Sequence, residues 1–515
     1  MNPSADLFQK ITAHTKEHGF IFQSSELYDG LGAVYDYGPM GVLVKNNLRD
    51  LWWQSMVRKH DNIVGLDAAI LMHPQVWKAS GHVDAFNDPL IDNKDSKKRY
   101  RADVLIEEYL DKLQQKSLKE TEKRATKEGW SRDSDAYVRF LAGNRDGKKA
   151  SEVQARFQQC LEANDLAGVK TLIEDCDIRC PESGTANWTD VRQFNLMFKA
   201  QLGALAEDAS DIYLRPETAQ GIFVNFLNVQ KTSRMKIPFG IAQTGKAFRN
   251  EIIARQFIFR MREFEQMEMQ YFIKPGTQQE WYQFWKAERL RWHKALGLDE
   301  SVLRLHVHDK LAHYADAAED IQFHFPFGFK EMEGIHSRTD FDLRSHQEFS
   351  GKKITYFDPE ENASYTPFVV ETSIGLDRLF LAHICNAYQE ESVPTGSGGE
   401  EIRTVLRLHP LIAPVKVAIF PLVKKDGLPE FARKMQDILK FDMQTVYDEK
   451  DAVGRRYRRQ DAKGTPFCIT VDYDSLNDHA VTIRERDSMA QHRIPVGEVR
   501  AWLLARLDIR QVLDV

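Results

Sequence analysis

The stretch Ile237–Tyr271, IPFGIAQTGKAFRNEIIARQFIFRMREFEQMEMQY, combines β-like apolar runs with charges that alternate onto one face. It reads as two antiparallel strands around a turn near Ala254 to Gln256, each strand following the two-residue period. On the first strand that period groups Arg249 with Glu251. On the second it groups Arg262, Phe264, Gln266 and Glu268. Two guanidinium groups, an aromatic ring and two carboxylates make a poor core and a good site for a ligand that is anionic, flat and partly cationic. The plainer alternative is an exposed antiparallel sheet with cross-strand salt bridges, each contributing little stability. The remainder of the chain has to decide between them.

A chain of 515 residues is too long for one core and predicts roughly two to four domains. With 42% hydrophobic and 28% charged residues it has the composition of a globular protein. A formal charge of −6 excludes an overall polyanion binder but leaves room for a local basic patch. The five cysteines (Cys160, Cys176, Cys180, Cys385, Cys468) form no disulfide framework and point to a reducing, cytoplasmic setting. The N-terminal residues carry acids and lack an apolar core of the secretory kind. No uncharged apolar run reaches ~18 residues, so no membrane contact is expected.

Upstream of the hairpin, Pro39 opens a helical pattern through His60, in which Val42, Leu48, Leu51, Trp52 and Met56 recur at helical spacing. That stripe suits either ordinary core or a dimer surface. From about Arg101 the chain becomes charge-dense and helical to residue 175, as an inserted module would. Cys176, Cys180 and the sequence CPESG invite a zinc reading, but a structural site needs four ligands and no second pair is visible, so zinc is not expected there. Arg215-Pro216-Glu217-Thr218 starts a helix, where Glu217 suits the first turn. Downstream, residues 278–297 read as a helix with an aromatic packing stripe. His306 and His308 share a strand face, as a metal pair or, preferably, as a satisfied core pair. The stretch FHFPFGFKEMEGIHSRTDFDL reads as turn-rich, with Glu331 and Glu333 near glycines. In TPFVVETSIGLDRLFLAHICNAY, a buried strand carries Glu371 and Ser373 on one face. Gly375 then turns the chain into a helix beginning with Asp377 and Arg378, where a phosphate could be met.

After a connector at VPTGSGGEE, strands and helices alternate from Leu411 onward, predicting a separate α/β domain of about 100 residues. Within it, AVGRRYRRQDAKG surrounds Tyr457 with Arg455, Arg456, Arg458, Arg459 and Lys463. It reads as a basic turn: either simply solvated, or suited to RNA, whose bases stack and whose phosphates need neutralising.

Phe248-Arg249-Asn250-Glu251 and Gly375-Leu376-Asp377-Arg378 resemble motifs 2 and 3 of the class II aminoacyl-tRNA synthetases. YDYGPMG, VWKASGHV, RQFNLMF, YLRPETAQG, REFEQMEMQYF and SRTDFDL together are similar to the dimeric, single-chain glycyl-tRNA synthetases. The likeness covers most of 19–105, 188–385 and the C-terminal domain, and is weak across 106–175. Ser183 stands where many relatives carry a second cysteine of CPxCG, so a metal knuckle is not expected. The implied fold class is α+β: an antiparallel-sheet catalytic core over 1–105 and 188–405, a mainly helical insertion at 106–187, and a C-terminal α/β anticodon-binding domain at 411–515.

The resemblance implies glycine activation by ATP, then transfer of the glycyl group to tRNA(Gly), by a cytoplasmic homodimer. It assigns Arg249, Glu251 and Arg378 to catalysis. Arg249 would hold the α-phosphate, Glu251 adenine, Phe264 would stack on the ring, and Arg262 and Arg378 would lie near the β- and γ-phosphates. Asn250, Phe259, Arg260, Met261, Glu263, Glu331, Met332, Glu371, Thr372, Ser373 and Ile374 complete the implied ATP set, with Mg²⁺ near Glu331 and Glu371. Glu217, Glu268 and Glu371 would surround glycine's ammonium, Ser373 would close the pocket, and Arg101 would address the carboxylate, with Phe264, Glu265, Gln266 and Met267 beside them. Arg455, Arg456, Arg458 and Arg459 would meet tRNA. Two alternatives stand beside this reading: a class II synthetase for proline, threonine or histidine, against which the three carboxylates argue, and a non-catalytic synthetase-like nucleic-acid binder, against which Arg249, Glu251 and Arg378 argue.

Overall fold

Seven strands form the central sheet of a computed structural model that describes residues 3–203, 210–251, 256–308, 311, 315–394 and 399–513. They are β1 (Ile63–Gly65), β2 (Phe239–Phe248), β3 (Glu263–Ile273), β4 (Leu303–Val307), β5 (Ala317–Phe325), β6 (Gly328–Thr339) and β7 (Phe368–Gly375). Their order is β4-β5-β6-β7-β3-β2-β1, antiparallel throughout except for the parallel pair β1 and β2. β3 lies between β2 and β7, so its residues have neighbours on both sides. Glu268 faces Gln243 and Ser373, and Gln270 faces Ile241 and Glu371. Three expectations change here. The stretch read as turn-rich forms the β5–β6 hairpin, because Phe323 and Phe325 on one strand and Met332 and Ile335 on the other enter a single core. Strand β2 ends at Phe248, so Arg249 and Glu251 lie past it and share no strand face. His306 and His308 belong to the edge of the sheet, where His306 is exposed and His308 half-buried, and they form no core pair. Of the expected turn at Ala254 to Gln256, residues 254 and 255 lie outside the described residues, as do residues 395–398 of the expected connector.

Packing on the sheet follows from the helical patterns. Pro39–Trp53 begins with Pro39 in its first turn and buries Val44, Leu48, Leu51 and Trp52 in the same core as Met267 and Met269 of β3. The helix Leu376–Ala387 follows β7 directly, with Gly375 as its N-cap, and buries nine of its twelve residues. Gln278–Ala295 packs Tyr282, Trp285 and Trp292 into that core, as its aromatic stripe predicts. Toward the C-terminus, five strands in the order 445–447, 417–421, 467–471, 480–485, 491–495 carry the helices Leu428–Leu439, Val453–Lys463 and Val496–Arg506. The first three strands are parallel and the last two antiparallel to their neighbours, over a core of Val417, Ile419, Ile469 and Leu503. Among the described residues no helix is long and apolar enough to cross a membrane.

The chain divides into two compact units, of which the elements above form the first: Met1–Ser80, Phe198–Arg249 and Ala254–Val515. The second comprises Gly81–Met197 and Asn250–Ile253. It contains the helices Ala102–Glu128, Asp135–Gly143, Arg145–Glu162 and Leu166–Asp175 and a small sheet of Asn87–Asp92, Arg99–Arg101 and Arg192–Asn195. Two of its helix starts are capped by side chains: Asn144 accepts from the Gly147 amide at 2.8 Å and Asp165 from Gly168 at 2.8 Å. Leu105, Ile106, Leu110 and Leu113 keep helical spacing and bury in one core with Val153, Phe157 and Leu172. The segment expected as an insertion, 106–187, lies inside this unit.

Candidate active site

Alternation along β3 sends Phe264, Gln266, Glu268 and Gln270 to one face, and the register brings Ser373 and Glu371 of β7 beside them. Gln270 Nε2 donates to Glu268 Oε1 at 2.8 Å and to Glu371 Oε2 at 2.6 Å, holding two buried carboxyl groups together. Thr218 Oγ1 donates to the other oxygen of Glu268. Glu371 also accepts from His336 Nδ1 at 2.7 Å and Arg338 Nη1 at 3.1 Å. Arg338 in turn grips both oxygens of Asp342, at 2.8 and 3.0 Å. The β6–β7 ladder slips at Arg338, between Ser337 and Thr339, a bulge of the kind that re-aims a side chain. Gln220 Nε2 donates to Glu217 at 3.0 Å and to Asp342 at 3.2 Å, which ties the start of the helix Ala219–Thr232 to the same cluster.

Burial and neighbouring charge divide the two central carboxyls. Glu268 is pushed well above the usual carboxyl range by burial, then by the charges of Glu371 and Glu217. Burial pushes Glu371 up as well, yet Arg338 and the His336 hydrogen bond overcome it and hold Glu371 ionised, below the usual range. Four carboxyl groups, Glu217, Glu268, Glu371 and Asp342, thus share the cluster with one arginine and one histidine. Such an excess favours a compact cation.

Next to it lies a cationic, aromatic region. The Arg249 guanidinium sits 5.2 Å over the Phe264 ring, and its Nε donates to the Pro216 carbonyl at 3.1 Å. Arg378 stacks at 4.5 Å over Phe259 and contacts the Glu331 carboxylate at 3.1 Å. Arg378, with Arg249 adding to it, holds Glu331 below the usual carboxyl range. The Glu331 side chain is 50% exposed. Arg262 Nη1 donates to the Gly32 carbonyl at 3.1 Å, and Glu263 accepts from Lys246 at 2.6 Å.

Several expected residues lie elsewhere. Glu265 and Met267 point to the opposite face of β3: Glu265 pairs with Lys45 at 3.1 Å and Arg49 at 3.3 Å, and Met267 is in the core. The side chains of Met261, Met332 and Ile374 are also core, and that of Thr372 is buried, leaving only their backbone for a ligand. Arg260 ends the short turn Phe257–Phe259. Asn250 and Glu251 belong to the second unit, where the Asn250 amide donates to the Leu196 carbonyl at 2.7 Å. Arg101, in that unit, pairs with Asp88 at 3.0 Å and Asp103 at 2.6 Å and has Glu251 among its neighbouring charges.

The segment around Tyr457 is the helix Val453–Lys463, not a turn. Arg456 is 2% exposed and donates to the carbonyls of Pro421, Leu422 and Asp451 at 2.6, 3.2 and 3.1 Å. Arg459 pairs with Asp448 and Asp451. Tyr457 turns inward to Thr470. Arg455 is exposed and Arg458 half-buried, whereas Arg456 is buried.

Sequence reasoning missed Gln270, His336, Arg338, Asp342 and Thr218. Gln270 was within reach, being the next same-face residue after Glu268. Arg338 meets Glu371, with Asp342 behind it, only through the β6–β7 pairing, which no local pattern announces.

Three family models match the chain: "Glycyl-tRNA synthetase insertion domain 1" over 88–196, "tRNA synthetase class II core domain (G, H, P, S and T)" over 198–387, and "Anticodon binding domain" over 416–506. Among similar proteins, a glycine--tRNA ligase of Chlorobaculum tepidum is 50% identical over 507 residues, 97% of this chain and 99% of that protein. One of Macrococcus caseolyticus is 49% identical over 95% of this chain and 96% of its own. Of solved structures, prolyl-tRNA synthetase from Cryptosporidium parvum shares the fold with a TM-score of 0.57 at 12% identity, over 98% of this chain and 78% of that one.

Proposed function

This chain belongs to the glycine--tRNA ligase family of class II aminoacyl-tRNA synthetases, and from that premise we propose that it joins glycine to tRNA(Gly) using ATP. The observation that carries the glycine reading is the buried pair Glu268 and Glu371, bridged by Gln270 and joined by Glu217. An ammonium offers three N–H donors and one positive charge. Three carboxyl groups supply both complements, and Gln266 with Ser373, 3.3 Å apart, close the side. Glycine has no side chain to grip, so alanine is rejected by the absence of room for a methyl. Its ammonium pairs with the ionised form of Glu268, whose pKa is raised in the free enzyme. Glycine binding therefore weakens as pH falls through the raised pKa of Glu268.

In the first step a glycine carboxylate oxygen attacks the α-phosphorus of ATP, the bond to the β-phosphate oxygen breaks, and pyrophosphate leaves. Arg249 stabilises the charge gathering on the α-phosphate, while Phe264 stacks on adenine. Arg378 and Arg262 neutralise the outer phosphates. In the second step the terminal adenosine hydroxyl of tRNA attacks the glycyl carbonyl and AMP leaves with its bonding pair. No protein nucleophile is required. Mg²⁺, when bound, would neutralise part of the phosphate charge. Glu331 suits it, being a hard oxygen donor at the exposed edge of the cationic region. Glu371 suits it less well, because both its oxygens already accept from His336, Gln270 and Arg338. The C-terminal α/β domain at 411–515 binds the anticodon region through Arg455 and Arg458. The enzyme acts as a cytoplasmic homodimer.

The test is amino-acid-dependent ATP–pyrophosphate exchange with glycine, alanine, serine and proline. Exchange with glycine alone is expected. Exchange with proline would transfer the chain to another specificity, and no exchange at all would leave a nucleic-acid-binding protein.

A further inference from the structure

His308, Asp320 and His336 bring one potential ligand atom each to within 4.8 Å of one another, at the β4–β5–β6 side of the sheet. The register explains the meeting. His308 follows β4 and its amide donates to the Ala318 carbonyl at 3.1 Å, Asp320 sits opposite Gly334, and His336 is two residues on from Gly334. All three therefore project from neighbouring strands onto one face.

Three features go beyond proximity. First, His308 Nε2 and Asp320 Oδ2 approach to 2.9 Å, yet this buried nitrogen has no hydrogen-bond partner of acceptable direction. Ligand atoms of one ion approach in this way: bonds of about 2.0–2.2 Å put neighbouring ligand atoms roughly 3 Å apart in an octahedral set and roughly 3.4 Å in a tetrahedral one. Second, His336 gives Nδ1 to Glu371 at 2.7 Å, which leaves Nε2 as the free ring nitrogen. A carboxylate behind a histidine is the arrangement that fixes a ligating imidazole. Third, the His336 ring lies across Gly334: a Cβ there would fall 2.8 Å from Cε1 and 3.1 Å from Nε2, so only glycine leaves the ring this place.

We propose that His308, Asp320 and His336 form a binding site for one zinc-type divalent ion, with Glu371 as the carboxylate orienting His336. Two imidazoles and one carboxylate select a borderline transition ion over Mg²⁺, which prefers an all-oxygen octahedron. Three protein ligands leave a position for water. The site is separate from Cys176 and Cys180, and it stands whether or not the glycine reading holds, since it concerns binding alone. The ion clips together the ends of three strands whose fourth neighbour carries Glu371.

The experiment is equilibrium dialysis of the full-length protein, stripped with chelator, against Zn²⁺, with bound metal counted by mass spectrometry and Co²⁺ used as a visible-absorbing probe. One Zn²⁺ per chain is expected, with Co²⁺ d–d bands of imidazole ligation and no comparable uptake of Mg²⁺. His308→Gln and Asp320→Asn should each weaken Zn²⁺ on the order of 100-fold, as loss of one ligand of a small set does, and Cys180→Ser should not. Circular dichroism of each variant verifies folding, and His308, at a strand end and partly exposed, is the safer position. Absence of stoichiometric Zn²⁺ in the wild type, or unchanged affinity in folded His308→Gln, overturns the site.

Discussion

The two faces of strand Glu263–Ile273 carry charge in opposite ways. On the odd-numbered face, Glu265 lies between Lys45 and Arg49, and Asp377 accepts from Tyr37, Lys45 and the Glu265 amide. Burial works against the Lys45 charge, yet Asp377 and Glu265 outweigh it and raise its pKa. Acids and bases are matched there, and the helix Pro39–Trp53 is thereby locked to the sheet. On the even-numbered face, Glu268 and Glu371 share one amide donor, and burial with mutual repulsion raises the Glu268 pKa well above the usual carboxyl range. A buried ion pair that is complete holds structure, whereas one short of a cation is strained until a ligand supplies it. Composition alone does not separate the faces, since both are acidic; their partners do.

The largest expected effect comes from unbalancing the matched face. Lys45→Met should lower stability by about 3 kcal/mol, near the lower end for breaking a buried pair because Arg49 stays with Glu265. The thermal midpoint should fall while the KM for glycine in pyrophosphate exchange changes little. A raised KM at an unchanged midpoint would erase the distinction between the faces. Next in size, Arg249→Ala should reduce exchange about 10²-fold, the cost of one transition-state donor, without a comparable loss of stability. Exchange near the wild-type rate would remove Arg249 from the chemistry.

How much of this was readable from the chain follows the same division. The even face of β3 could be read directly, because period 2 is local and the strand is long enough to display it. Its partners Glu371 and Ser373 could be read as one face of a second strand. That the two strands adjoin came only with the register, and the register is what makes Gln270 a bridge. Glu265 is in the glycine set that the family resemblance implies, and the alternation that defines the site turns its side chain to the other face. Arg456 shows the same failure in another form. A run of arginines around a tyrosine looks like a basic surface, but on the helix Val453–Lys463 every third or fourth position turns inward, and there the guanidinium caps carbonyls of the neighbouring strand. The β5–β6 hairpin was hidden by Pro326 and Gly328 at its turn, which punctuate the chain more loudly than the strands on either side.

A smaller change sharpens the unmatched face. Glu268→Gln keeps the shape and removes the titrating group, so glycine kcat/KM should fall about 10-fold, as for one hydrogen bond to a charge, with the KM for ATP unchanged. Stability should move the other way. A carboxyl whose folded pKa is raised contributes stability fully present below its unfolded pKa of about 4.3 and lost as pH rises through the folded value. The glycine-free wild type therefore loses stability with pH across that window, and the variant, whose amide does not titrate, keeps it. The midpoint of the variant relative to wild type should rise by about 1–3 °C between pH 5 and pH 8. A parallel loss of glycine and ATP affinity would make the strand a purely nucleotide element.

The smallest expected effect carries the comparison to the C-terminal domain, where one helix again has a matched and an outward side. Arg456 and Arg459 are engaged by backbone carbonyls, Asp448 and Asp451, while Arg455 is exposed and Arg458 half-buried. Replacing Arg455 and Arg458 together by Ala should leave glycine-dependent exchange and the thermal midpoint unchanged, because their helix packs on the C-terminal sheet and not on the one that carries Glu268, and neither residue is fully buried. tRNA charging should fall a few-fold, and the dependence of its kcat/KM on salt should flatten by about 1.5 in logarithmic slope, roughly the share of two phosphate contacts. Arg456→Ala should behave oppositely, lowering the midpoint through the carbonyls it uncaps and leaving the salt slope as it was. If Arg456→Ala flattens the slope at an unchanged midpoint, the inward arginine is the one that meets RNA, and the rule drawn from the two faces of β3 does not extend to this helix.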